Sequence, residues 1–174
     1  MMFQPGDFVV YGRMGVCQVE RIEHRKDGQD FYALMPRYQN CSILTPVNGK
    51  VFMRPVISRE EAERLIDLIP TMEVEPCESK VLRKLTEHYQ ASIATHDCRD
   101  LVELTMSIYA KKKMVEKEKR KFGAVDERFM REGEALLFGE LAVALDILVE
   151  EVPGYISSRL EAQDEGKAEA VAET

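Results

Sequence analysis

Apolar residues fall in short runs over the first 57 positions and recur at helical spacing after them. Asp7-Phe8-Val9-Val10-Tyr11, Phe31–Met35, Ser42–Thr45 and Val51–Arg54 are brief stretches with β-branched and aromatic residues, which predict strands. Gly6, Gly12, Gly15, Gly28 and Gly49 punctuate them, and Asp27-Gly28 between two apolar runs is a hairpin signal. Several short strands at this spacing predict a small β-barrel of SH3 or Tudor type over 1–57. Such a barrel has little core, so it is expected to lean on an attached helix at 58–69.

That helix opens with Ser58 and Glu61 in capping-box spacing, carries Ala62, Leu65, Ile66 and Ile69 on one stripe, and meets Pro70. Residues 70–78 read as a linker. From 79 to 160 the pattern is helical. Leu82, Leu85, Tyr89 and Ile93 form one face, and Asp97 or Asp100 caps a second helix bearing Leu101, Leu104 and Ile108. Gly123 interrupts, and a third helix runs from about Asp126 through Phe129, Met130, Leu137, Leu141 and Leu145. Pro153-Gly154 is read as a break, Tyr155–Leu160 as a last turn or short helix, and 161–174 as a flexible acidic tail. The fold class is α+β, a barrel followed by an all-helical domain.

Charge changes this picture. The chain of 174 residues has a net charge of −7, but residues 80–131 carry 13 basic and 8 acidic side chains, whereas 132–174 carry 2 basic and 11 acidic. A basic middle suggests an anionic partner. Its densest part, Lys111 to Lys121, holds seven basic and two acidic residues. Two readings stand: a solvated helix end whose cations complement the helix dipole, or a set of DNA-phosphate contacts that are salt-dependent and indifferent to sequence. In the barrel, Arg25 and Arg54 stand beside turn or strand-end signals, either as plain surface arginines or as partner contacts.

Other chemistries find little support. Cys17, Cys41, Cys77 and Cys98 lack the close spacing of a zinc site and read as reduced thiols; His24, His88 and His96 are equally scattered. There is no Gly-x-x-x-x-Gly-Lys-Ser/Thr, Gly-x-Ser-x-Gly or His-Glu-x-x-His motif. Glu60, Glu61 and Glu63 suit a helix start, and Asp97 in His96-Asp97-Cys98 suits a cap. Neither a long apolar span nor a leader pattern is evident, so a cytoplasmic, monomeric protein without membrane association, metal or cofactor is expected, and not an enzyme.

Phe3-Gln4-Pro5-Gly6-Asp7-Phe8-Val9-Val10-Tyr11, then Gly15-Val16 and Val19-Glu20-Arg21-Ile22-Glu23, resembles the N-terminal signature of the CarD/CdnL family of bacterial transcription regulators. Thr45-Pro46-Val47 is similar to the family's Pro-Val element, Arg54 to its next arginine, and Gly139-Glu140-Leu141-Ala142 to its helical signature. Transcription-repair coupling factors share the first motif. The resemblance implies a Tudor-like barrel that binds the RNA polymerase β subunit, with Arg25 and Arg54 as contacts. It implies a helical domain that touches promoter DNA at the upstream bubble edge and alters open-complex lifetime, without a cofactor. The DNA-binding candidates are Leu82, Arg83, Lys84, Lys111, Lys112, Lys113, Lys117 and Arg128.

Two departures stand out. Leu44 occupies a place where relatives often carry arginine, and no tryptophan exists to act as the family's minor-groove wedge. Val81-Leu82-Arg83-Lys84 matches the wedge region. Leucine there is either a substitute wedge or the first residue of the core stripe. The rival to DNA binding is a polymerase- or protein-interaction module with no useful affinity for DNA.

Overall fold

The computed structural model describes residues 2–173. Contacts divide the chain between Ile57 and Ser58. The first unit is a five-stranded antiparallel sheet: β1 (Phe8–Tyr11), β2 (Gly15–His24), β3 (Asp30–Pro36), β4 (Ile43–Pro46) and β5 (Met53–Pro55), in the order β4-β3-β2-β1-β5. Phe3, Val9, Cys17, Val19, Tyr32 and Leu34 form its core. The Phe3 amide donates to the Tyr32 hydroxyl at 2.9 Å, and the two rings meet edge to face with centroids 6.0 Å apart. A buried phenol thus gains the partner it requires while its ring fills the core. Burial, with Cys41 nearby, pushes the Cys17 thiol up to about 11, so at neutral pH it packs as a small apolar group.

The β2–β3 hairpin closes as the sequence suggests, by another geometry. The Gly28 amide donates to the Arg25 carbonyl and the Arg25 amide to the Gln29 carbonyl. Gly28 has φ +83° while Asp27 stays out of the left-handed region. The type I′ turn that Asp-Gly signals needs positive φ at both central positions; here a longer loop asks it of the glycine alone.

The second unit holds α1 (Arg59–Leu68), α2 (Leu82–Ala94), α3 (Cys98–Lys117), α4 (Ala124–Leu145) and α5 (Val152–Ala172). Both halves of the Ser58–Glu61 capping box form, at 3.1 and 2.7 Å, and Asp97 caps α3 through the Arg99 amide at 2.8 Å. α4 is central and packs on each of the other four helices. Gly133, buried in α4, lets α3 approach closely: a Cβ there would lie 3.1 Å from Thr105 and 3.5 Å from Leu104.

Three expectations are corrected. The helix at 58–69 is not an appendage of the barrel. α1 buries Ala62, Leu65 and Ile66 within the helical unit, where Arg159 pairs with Asp67 at 2.7 and 2.9 Å, the Tyr155 hydroxyl donates to Glu63, and Arg59 donates to the Leu145 carbonyl. Pro153-Gly154 does not end a helix. Pro153 sits in the first turn of α5, where its missing N–H costs nothing. Residues 161–172, expected as a flexible tail, continue α5, consistent with the high helix propensity of Ala, Glu and Lys.

The polar centre of this unit is buried. Lys111 Nζ lies 3.0 Å from Asp126 Oδ1, and the Tyr89 hydroxyl donates to the same oxygen at 2.6 Å. Burial and that hydrogen bond hold the Tyr89 phenol far above its ordinary pKa. The three groups join α2, α3 and α4.

Removing one partner of a buried ion pair costs about 3–5 kcal/mol, whereas replacing the whole group by apolar residues is often neutral. Lys111→Met is therefore expected to lose roughly that much in urea unfolding. Adding Asp126→Leu and Tyr89→Phe is expected to restore much of it; strictly additive losses would refute the coupling. A second expectation concerns acid. The hydrogen bond from Arg159 holds the Asp67 carboxyl below its ordinary pKa. Its contribution is complete above the unfolded carboxylate pKa of about 3.9 and is lost as pH falls through the lower folded value. The melting-temperature gap between wild type and Asp67→Asn should be wide at pH 7 and close towards pH 2.

Candidate functional site

In the barrel, Arg25 leaves β2 at the hairpin tip. It is exposed, and its guanidinium lies over the Phe31 ring, 4.1 Å from the centroid. The cation–π contact restricts a flexible side chain without neutralising it. Arg54 is half-buried on edge strand β5, opposite Val10, and donates to the Pro55 carbonyl at 3.0 Å. The sheet does not set these two arginines side by side: one follows β2 and the other lies on β5, beyond β1. Leu44 points outward from edge strand β4 at 44% exposure, opposite Ala33, and Met35 is exposed at 49% on β3. An apolar outer surface thus stands where the family resemblance expected an arginine.

In the helical unit the stripe of α2 buries Leu85, Tyr89 and Ile93 but not Leu82. Leu82 opens the helix at 63% exposure, next to Val81 at 50%. Arg83 and Lys84 follow, both exposed, and Arg83 bridges Glu87 at 3.0 Å. Val81 precedes α2 without a side-chain cap, so the leading amides and the positive end of the helix dipole stay open to an anion. Two exposed apolar side chains with cations beside them can enter a base step while phosphates are neutralised around them.

The lysine run divides. Lys113 and Lys117 are exposed, and Lys112 stands 5.8 Å from the Phe122 ring centroid. Lys119, Arg120 and Lys121 line the turn after α3. Arg120 reaches Glu78 at 3.8 Å, which brings this turn beside the segment leading into α2. The basic turn therefore reaches the chain three residues before Val81. Arg128 is exposed on α4, with its guanidinium 4.8 Å from the centroid of the Phe129 ring beneath it. Lys111 must be withdrawn from the phosphate contacts. Its side chain is spent on Asp126 in the interior. The signal was present: Lys111 continues the stripe Leu101, Leu104, Ile108, Val115 at three- and four-residue steps. Its partner, Asp126, stands in the first turn of α4, where an acidic residue ordinarily complements the helix dipole at the surface, yet it is buried.

An exposed Leu82 carries little of the fold. Leu82→Ala should change unfolding free energy by less than about 0.5 kcal/mol, against roughly 2–5 kcal/mol for a core leucine such as Leu85. Denaturant titration of the two variants decides it.

Among the described residues no helix is long and apolar enough to cross a membrane. No curated protein matches the chain. Residues 3–57, the five-stranded unit and its leading segment, match the family model of the CarD-like/TRCF RID domain. The barrel is accordingly a protein-interaction domain of the CarD-like RNA polymerase-interacting family, and it gives the chain a transcription-related role.

Proposed function

We propose that this chain is a non-enzymatic transcription regulator of the bacterial cytoplasm that acts as a monomer. The barrel grips the polymerase β subunit through Arg25 and Arg54. The helical unit touches promoter DNA at the upstream bubble edge and tunes open-complex lifetime. The observation that carries this reading is the exposed Val81–Leu82 pair at the head of α2, followed by Arg83 and Lys84 and preceded by Glu78, which Arg120 of the basic turn reaches. Its apolar tip suits an unstacked base step, and its cations suit the flanking phosphates. Lys112, Lys113, Lys117 and Arg128 are the supporting phosphate contacts. Leucine lacks the stacking face and N–H of an indole, so the wedge acts more weakly than tryptophan would.

The acidic α4–α5 half and the loss of Lys111 from the basic surface favour a second reading, an interaction module that leaves DNA alone. Salt separates the two. Under the first, DNA affinity lies near 10⁻⁴–10⁻⁶ M at physiological salt, on the order of non-specific binding, and falls steeply as salt rises. Lys113→Glu and Lys117→Glu each flatten the log–log slope by about 1.

The full test adds polymerase. Open complexes challenged with competitor should decay faster with Leu82→Ala and more slowly with Leu82→Trp, while Arg25→Glu/Arg54→Glu weakens polymerase binding. A flat salt dependence together with lifetimes indifferent to residue 82 selects the interaction module.

A further inference from the structure

Within the helical unit, the segment that precedes α2 lies with α2 and α3 around an open groove of about 460 Å³. Its carboxylates come from two elements: Glu73 and Glu75 from that segment, Asp100 and Glu103 from α3. Short side chains of α2, Ala91 and Ser92 among them, leave room between these walls. The volume falls within the roughly 300–1,000 Å³ of sites that take ligand groups.

The sign of the groove runs against its surroundings. Residues 80–131 carry 13 basic and 8 acidic side chains, yet no lysine or arginine lines the groove. Glu103 meets Arg99 at 3.4 Å in an exposed pair, whereas Glu73, Glu75 and Asp100 have no ion-pair partner among the described residues. Asp100 stands in the first turn of α3, where it complements the helix dipole. Glu73 and Glu75 belong to no helix and are exposed, so the dipole does not account for them. Carboxylates gathered around one groove repel each other, and an entering cation relieves that repulsion. They also repel phosphate, which sets the groove apart from the DNA contacts proposed above. Val74 and Leu104 add apolar ground. Such ground suits the methylene stem of a lysine or arginine whose charged head lies at a carboxylate.

We propose that this groove docks a basic segment of a protein partner, one that lays at least two lysine or arginine side chains between Glu73 and Glu75 on one side and Asp100 and Glu103 on the other. Charge complementarity selects the occupant. A guanidinium takes a carboxylate through two parallel hydrogen bonds, and carboxylates on two separate elements receive two such heads. Contacts of this kind act mainly on association and weaken as salt rises. They involve neither the arginines of the barrel nor the head of α2, and so add a third contact surface to the two proposed above.

The experiment uses the full chain and a short fluorescein-labelled peptide of alternating arginine and alanine, titrated at low ionic strength. Wild type is compared with Glu73→Gln/Glu75→Gln, with Asp100→Asn/Glu103→Gln, and with Ala91→Arg, which supplies the groove with a guanidinium of its own. Glu165→Gln/Glu169→Gln, on the exposed end of α5, removes the same charge at residues that do not line the groove. Thermal unfolding is recorded for each. Each folded groove variant is expected to weaken peptide binding on the order of tenfold, as for two exposed ion pairs lost together, and the α5 variant by less than about twofold. Amide resonances of Ala91, Ser92 and Ser107 are expected to shift on binding. If groove and α5 variants weaken binding alike, the attraction is that of net charge and the groove is no docking site. Absence of binding by wild type, or amide shifts confined to other residues, overturns the proposal as well. Spermidine is the remaining arm: if it displaces the peptide at equal or lower concentration, the groove is a polyamine site and the protein partner is ruled out. Should one variant unfold, the other two and the amide shifts still decide.

Discussion

Three side chains from three helices, Tyr89, Lys111 and Asp126, meet at one buried carboxylate oxygen, and the shape of the helical unit depends on that meeting. An ionised pair in the interior is poor as a source of stability, because desolvation offsets most of its attraction. It is strong as a constraint. A one-residue slip of α2, α3 or α4 would strand a charge or a phenol without a partner, whereas leucines tolerate such slips. The group therefore fixes the register of three helices at once. Leu82 lies seven residues before Tyr89, roughly 10 Å along the helix at 1.5 Å per residue. The exposed head of α2 is thus placed relative to the interior by a rigid lever of two turns.

The barrel is organised on a different principle. Its order comes from ladder hydrogen bonds and a small aromatic core, and its exposed chemistry sits on edges and loops: Arg25 at a hairpin tip, Leu44 and Met35 on an outer face, Arg54 on edge strand β5. A curved sheet with two edge strands presents several distinct surfaces to one protein partner. Leu44 and Met35 make part of that surface apolar. Buried apolar contacts act on dissociation, whereas rim charges act mainly on association and its salt dependence.

Local signals were readable and tertiary ones were not. The Ser58–Glu61 box and the Asp97 cap depend on neighbours within four residues and form where the sequence places them; the four strand runs form within about two residues of their expected bounds, but the longest strand, β2 (Gly15–His24), is not among them. The partner of α1 was invisible, because an amphipathic stripe says that a face is buried but not against what. Leu82 was ambiguous for a related reason. It begins a perfect stripe, yet the first turn of a helix commonly extends past the helices that cover the rest. A run of lysines reads as surface, whereas the periodicity of α3 carries Lys111 inward. Asp27 shows the limit of a turn dipeptide: the glycine alone takes positive φ, which it adopts without strain, and the loop is longer than the two-residue turn the dipeptide signals.

The absence of tryptophan, combined with the exposure of position 82, has an optical consequence. The chain's emission comes from tyrosine alone, so an indole placed at 82 would be the single long-wavelength fluorophore in the protein. It would stand in water at the head of α2, clear of the aromatic pair Tyr89–Phe129 in the core. Its emission would then follow one event, the passage of that tip from solvent into whatever surface receives it, without background from the fold.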